Sequence, residues 1–225
     1  EFESMYESFN PLTTVNKQHF VEWFSGKQLP SYWGVIGDSN KTIEMGDSID
    51  GGITLYAGTD NNASAGISFC DDQSNGTQNP AKIRPFSPTA SKIIWVQKFA
   101  AASHYNSSQS GFSEDARPDG LGGSKSGASL VTTFWTPANK FVLRTADGTN
   151  YSGSTYTTTS QMDTNFHTFQ VECLSSSCTL KIDGDLEATS TTYLPTERMA
   201  PCFGMQTTTS NSGKTYITYC EAYNT

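Results

Sequence analysis

Residues Phe166 to Pro195, FHTFQVECLSSSCTLKIDGDLEATSTTYLP, constrain the fold of this chain more than any other stretch. His167, Phe169, Val171 and Cys173 alternate with Thr168, Gln170 and Glu172, the period-2 pattern of a half-buried strand. After a Leu174–Ser177 loop, Cys178, Leu180 and Ile182 resume the inward face while Thr179 and Lys181 point outward. Asp183-Gly184 then supplies the positive φ angles of a tight hairpin turn, and a third strand follows.

Short strands are expected elsewhere at turn-bounded intervals: Thr42–Met45, Gly52–Ala57, Gly66–Cys70, Lys92–Ala101, Ser129–Trp135, Lys140–Thr145, Ala200–Thr207 and Thr215–Tyr223. No 3.6-residue apolar stripe, internal repeat or low-complexity linker interrupts them. Two segments, Asp71–Pro80 and Ala102–Ala128, read as long polar loops, and in the second only Gly111-Phe112 looks like strand. At 225 residues, with 12% aromatics and 16% charged residues, the chain suits one undivided all-β domain spanning residues 1–225.

The order of an aromatic-His-Thr-aromatic strand, a second strand and an Ile-Asp-Gly turn resembles the late hairpin of concanavalin A-like jelly rolls. Laminin-G-like modules, legume-type lectins and laminarinase-like glucanases share that architecture. Leu29-Pro30 with Trp33 is similar to the Leu-Pro-x-x-Trp element through which many laminin-G-like chains enter the sandwich. The resemblance implies a two-sheet antiparallel sandwich, and it leaves function open because one fold hosts many functions.

Charge and hydropathy narrow the partners. A formal net charge of −8 disfavours binding to a nucleic-acid backbone. No apolar run approaches the roughly 18–20 residues of a membrane-spanning helix. The chain opens at Glu1-Phe2 without Met or a leader, as expected of a mature or recombinant fragment.

Four of the five cysteines fall into expected pairs. Cys173 and Cys178 flank a short loop on one strand face, and Cys202 and Cys220 lie symmetrically about the Ser210–Gly213 turn. Two hairpin-closing disulfides imply an oxidising, extracellular compartment, with Cys70 left over. Sequons at Asn40, Asn62, Asn75, Asn106 and Asn150 fit a secreted glycoprotein.

Glucanases of this architecture carry two carboxylates on one strand in a Glu-x-Asp-x-x-Glu pattern, about 5 Å apart. The matching strand here, Ser129–Trp135, has no acid. Asp183, Asp185 and Glu187 imitate the spacing, but the Asp-Gly turn breaks their alternation. Glu114-Asp115 with Arg117 and Asp119 forms a polar cluster, either a ligand clamp or a surface ion-pair group. A polysaccharide lyase would need a Tyr or His base and a neutralising Arg or Gln; His104, Tyr105 and Arg117 are the residues of those types, but the alginate-lyase motifs are absent. Structural calcium stays open through loop acids Asp47, Asp50, Asp71 and Asp72, without EF-hand spacing.

Sugar binding commonly stacks flat rings on pyranose faces and fixes the hydroxyls with polar side chains. The expected set is Trp95, Gln97, Tyr105, Asp115, Arg117 and Trp135, on the concave sheet and under the Ala102–Ala128 loop. Trp95 and Trp135 have core packing as their competing role, and Trp23 and Trp33 read as core. The leading expectation is a secreted carbohydrate-binding or adhesion module. The alternatives are a polysaccharide lyase or glycoside hydrolase on the same fold, or a subunit of an extracellular filament or coat.

Overall fold

The computed structural model describes residues 18–37, 40–46, 51–60, 63–69, 84–100, 106–114, 126–132, 139–153, 155–207 and 213–225. Fifteen strands and, among the described residues, no helix build two antiparallel sheets. In chain order the strands are β1 (His19–Glu22), β2 (Trp33–Gly37), β3 (Thr42–Met45), β4 (Ile53–Tyr56), β5 (Ser64–Phe69), β6 (Ala90–Phe99), β7 (Asn106–Ser113) and β8 (Gly127–Thr132). They continue as β9 (Lys140–Ala146), β10 (Tyr156–Gln161), β11 (His167–Leu174), β12 (Cys178–Ile182), β13 (Asp185–Ser190), β14 (Ala200–Thr207) and β15 (Lys214–Asn224).

One sheet has eight strands in the order β13-β12-β11-β6-β15-β4-β3, with β1 alongside β15; the other has seven, β10-β9-β8-β7-β14-β5-β2. The expected jelly-roll sandwich is what forms.

The β11–β12 hairpin has the register that its alternation demands. Phe169 faces Ile182, Val171 faces Leu180 and Cys173 faces Cys178. Asp183 and Gly184 have φ of 53° and 95°, so both turn residues occupy the left-handed region required by a two-residue hairpin. The even-numbered residues of β11 face outward, and Phe169 and Val171 are fully buried.

Aromatic rings weld the two sheets. Trp95 of β6 stacks on Phe169 at 5.4 Å and meets Phe203 of the opposite sheet edge-on at 6.2 Å. Phe141 of β9 crosses the same gap to Phe99 and Phe169. Each fully buried large side chain stabilises by about 1.5–3 kcal/mol, so this layer holds the sandwich closed.

The structure adds one strand to the segment read as a polar loop. β7 lies at the centre of the seven-stranded sheet, between β8 and β14. Its inward positions are Ser108, Ser110 and Phe112, all buried, so two serines stand where apolar residues normally announce a strand. Gly111 in the same strand has φ of +139°, and a Cβ there would meet the Ala128 carbonyl oxygen at 2.9 Å, so only glycine fits.

The expected Cys202–Cys220 hairpin is corrected. β14 belongs to the seven-stranded sheet, where Cys202 faces Ser68 and Gly111; β15 belongs to the other sheet, where Cys220 faces Trp95 and Glu22. The chain changes sheets between them, so counting outward from the turn does not bring the two sulfurs into cross-strand register. Cys173 and Cys178 do occupy directly opposed positions, both buried, as thiols. Cys70 lies outside the described residues, and no described helix is long and apolar enough to cross a membrane.

Candidate functional site

Register assigns the side chains of the seven-stranded sheet to its two faces. Phe203, Ile67, Leu130 and Leu143 lie in one cross-strand row and join the core. Their neighbours along each strand therefore face away from the other sheet. One outward row runs Gly34, Ser68, Cys202, Gly111, Ser129 and Arg144; the next runs Ile36, Gly66, Gly204, Gln109, Val131 and Val142.

Glycines and serines thin the centre of this face. Its reach comes from Gln109 and Arg144, both half-buried. The Gln109 amide donates to Ser129 Oγ at 3.2 Å. The Arg144 guanidinium lies over the Tyr151 ring at 4.1 Å from its centroid, and Tyr151 is exposed. A guanidinium on an aromatic ring keeps its outward N–H donors oriented, and such pairs contribute about 0.5–1 kcal/mol at exposed sites.

No strand of this sheet contains Asp or Glu. A retaining hydrolase needs two carboxyls about 5–5.5 Å apart, conveniently on alternate residues of one strand. The floor of this face has hydrogen-bonding groups and a cation but no strand-borne acid.

The three acids that imitated the glucanase spacing are used elsewhere. Asp183 Oδ1 accepts the Thr168 N–H at 2.8 Å, and its Oδ2 lies 2.6 Å from His167 Nδ1. His167 Nε2 reaches Asp163 at 3.0 Å, so the imidazole is clamped between two carboxylates. Burial lowers its pKa, but the hydrogen bonds to Asp183 and Asp163 outweigh that and raise it above 6.5. Glu187 leaves β13 to accept from the Thr159 and Ser160 backbones and hydroxyls on β10, the edge of the other sheet. Burial raises its pKa, yet the four donors prevail and bring it from 4.5 to about 2. Asp185, at the start of β13, is exposed.

Trp95 and Gln97 are corrected from ligand contacts to core. Both are 0% exposed. The Trp95 indole N–H donates to Gln97 Oε1 at 2.8 Å, and the Gln97 amide donates to Thr215 Oγ1 at 2.8 Å. Their face of β6 looks into the sandwich, so no sugar can stack there. Tyr105, Asp115, Arg117, Trp135 and His104 lie outside the described residues, as do Asp119 and the loop acids Asp47, Asp50, Asp71 and Asp72. Glu114 is described: its carboxylate accepts the Ser126 N–H at 3.1 Å and its backbone pairs with Ser126. Among the described residues no group of three or more His, Cys, Asp or Glu is placed to hold a metal ion.

Of the expected glycosylation sites, Asn40 and Asn150 are exposed, the first hydrogen-bonded to Asp60 and the second closing a turn on Asp147. Asn106 starts β7 opposite Thr207, and Asn62 and Asn75 lie outside the described residues.

One ring missed by sequence reasoning is Trp23. It was expected in the core with Trp33; Trp33 is 4% exposed, whereas Trp23 is 65% exposed on the outer face of the eight-stranded sheet. The signal was present in the spacing. Phe20 and Glu22 of β1 face inward, which turns Val21 and Trp23 outward.

These sheets, their strand order and their register define a concanavalin A-like jelly roll. Among solved structures the chain is similar to the carbohydrate recognition domain of Emp47p, with a TM-score of 0.64, 11% identity and coverage of 93% of this chain and 97% of that one. It is also similar to a prokaryotic β-1,3-1,4-glucanase (lichenase) derived from a mouse hindgut metagenome, with a TM-score of 0.62, 12% identity and coverage of 92% and 98%. The Crh5 transglycosylase follows at a TM-score of 0.59, 13% identity and coverage of 93% and 85%. At these identities the likeness is one of fold. The sequence matches no family profile and no curated protein.

Proposed function

We propose that the protein is a secreted, non-catalytic carbohydrate-binding module that recognises a polysaccharide or glycan on the outer face of its seven-stranded sheet. The observation that carries this reading is the composition of that face. The half-buried Gln109 and Arg144 offer polar groups for hydroxyls, with the buried Ser129 steadying the Gln109 amide, and no strand of the sheet carries an acid for the retaining mechanism. The similar structures include a carbohydrate recognition domain and enzymes that act on glycans, which supports a carbohydrate partner.

The extracellular part of the reading is supported by Cys173 and Cys178, whose opposed positions suit a bridge in an oxidising compartment. The exposed sequons Asn40 and Asn150 are accessible to glycosylation. Arg144→Ala and Gln109→Ala, each with an unchanged melting temperature, should weaken retention on polysaccharide affinity gels. Equal retention of wild type and both variants would remove the seven-stranded face from the account.

A further inference from the structure

The eight-stranded sheet has an outer face of its own, and its most exposed large apolar side chain is Trp23, packed on the half-buried Tyr219. Trp23 follows β1 and Tyr219 sits on β15; their ring centroids are 4.5 Å apart at an interplanar angle of 52°. Continuing the β1–β15 register by one residue beyond Glu22↔Cys220 places them directly opposite each other. Trp23 is 65% exposed and Val21, two residues back on the same face, is 41% exposed. Trp23, resting on Tyr219 beside the exposed Val21, leaves an apolar patch open to solvent.

Hydrogen-bonding groups follow the rings along the strand. The Tyr219 hydroxyl donates to Glu221 Oε2 at 2.8 Å, and His19 Nε2 donates to Glu221 Oε1 at 2.8 Å. His19 lies edge-on to Tyr223 at 5.7 Å, and Lys92 reaches over Tyr223 at 5.8 Å. Tyr219, Glu221 and Tyr223 thus share one face of β15, a strip about 13 Å long over the four rises from Tyr219 to Tyr223.

We propose that this strip, centred on Trp23 and Tyr219, is a second glycan-binding surface that takes a run of neutral pyranose rings. The inference rests on the reading of the chain as a carbohydrate-binding protein and adds a site on the opposite sheet. A pyranose offers an apolar C–H face to the indole and hydroxyls at its rim, which suits Glu221 as acceptor and His19 as donor. A dry protein partner over the strip would bury the Glu221 carboxylate at a cost of desolvation, whereas a sugar leaves it hydrated. Glu221 lies beside the rings and Lys92 is paired with Glu172, so the strip carries no excess of positive charge to draw uronates or sulfated sugars and suits a neutral chain.

The test is affinity gel electrophoresis in laminarin, barley β-glucan, xylan, galactomannan and alginate, with wild type, Trp23→Ala, Trp23→Phe and Arg144→Ala. Thermal melts run beside the gels should leave the Trp23 variants at the wild-type midpoint. At least one neutral polysaccharide should retard the wild type, with Trp23→Ala weakened roughly tenfold to a hundredfold and Trp23→Phe in between. The same polysaccharide should shift tryptophan emission in the wild type and not in Trp23→Phe. Retention of Trp23→Ala equal to wild type, or Trp23-dependence confined to alginate, overturns the inference. So does a Trp23→Ala effect on elution volume alone, which would mark the strip as a contact between copies. If Arg144→Ala loses retention and Trp23→Ala does not, this site fails and the primary reading stands; if no polysaccharide retards the wild type, both fail.

Discussion

The indole N–H of Trp95 donates to the Gln97 side-chain oxygen at 2.8 Å inside the layer between the two sheets. Two residues of the kind that hold sugars thus satisfy each other and belong to the core. Gln97→Ala should leave the Trp95 N–H without its partner, costing about 1–3 kcal/mol, while the Thr215 hydroxyl keeps its bond to the Lys98 carbonyl. Trp95→Ala should cost about 3–5 kcal/mol. Urea unfolding at neutral pH measures both, and a wild-type midpoint for either variant would place its side chain outside the core.

Glu187 and His167 contribute to the pH dependence beside Asp147 and Asp163, whose pKa values are lowered first by backbone hydrogen bonds from Asn150 and Asn165. Glu187 has its pKa lowered from 4.5 to about 2, so its stabilisation is complete above 4.5 and is lost as pH falls through its folded value. His167 has its pKa raised above 6.5, so its stabilisation is complete below 6.5 and fades as pH rises through the folded value. A melting-temperature profile should therefore fall on both sides of a weakly acidic maximum. Glu187→Gln should flatten the acid limb and His167→Asn the limb above pH 6.5. An unchanged acid limb in Glu187→Gln would show that the staple to Thr159 and Ser160 is absent in solution.

Ser110 is fully buried opposite Phe203 and Leu130, and its hydroxyl finds no partner among the described residues. Removing an unsatisfied buried hydroxyl returns its desolvation cost, so Ser110→Ala should raise stability by about 0.5–1 kcal/mol. A loss of more than about 1 kcal/mol would mean that the hydroxyl is bonded after all.

That serine also explains what the sequence concealed. The hairpin from His167 to Ser190 was legible because Phe169, Val171, Leu180 and Ile182 are large, apolar and alternate without exception. β7 was hidden because Ser108 and Ser110 fill apolar positions, although it is central to its sheet. Strand β14 was legible to the residue, but its sheet was not. A strand's own sequence records which side chains point inward, and says nothing of which neighbour it hydrogen-bonds, so the hairpin expected between Cys202 and Cys220 gives way to two separate sheets. The binding face suffered similarly: alternation gave Trp95 and Gln97 one common face, and only the partner sheet decides that this face is the inner one.

Cys173 and Cys178 stand directly opposite each other with both side chains fully buried. The Cys173 pKa is raised, first by hydrogen bonding to Cys178 and then by burial. In protein purified from an oxidising compartment, peptide mapping without reduction should recover these two cysteines as one cross-linked fragment. Because the loop they close is short, Cys173→Ser should cost at the low end of the range for disulfides, about 1–2 kcal/mol. Recovery of Cys173 joined to any other cysteine would contradict the β11–β12 register.

The central claim is binding of a glycan without its cleavage. Incubation with laminarin, barley β-glucan, xylan, galactomannan and alginate, followed by affinity gels and by assays of reducing ends and of absorbance at about 235 nm for unsaturated products, tests it in one measurement. Retention on at least one polysaccharide is expected, with no reducing ends or absorbance above the protein-free control. New reducing ends or unsaturated products, abolished by His104→Ala or Tyr105→Phe in a protein that still melts normally, would contradict it and make the chain an enzyme.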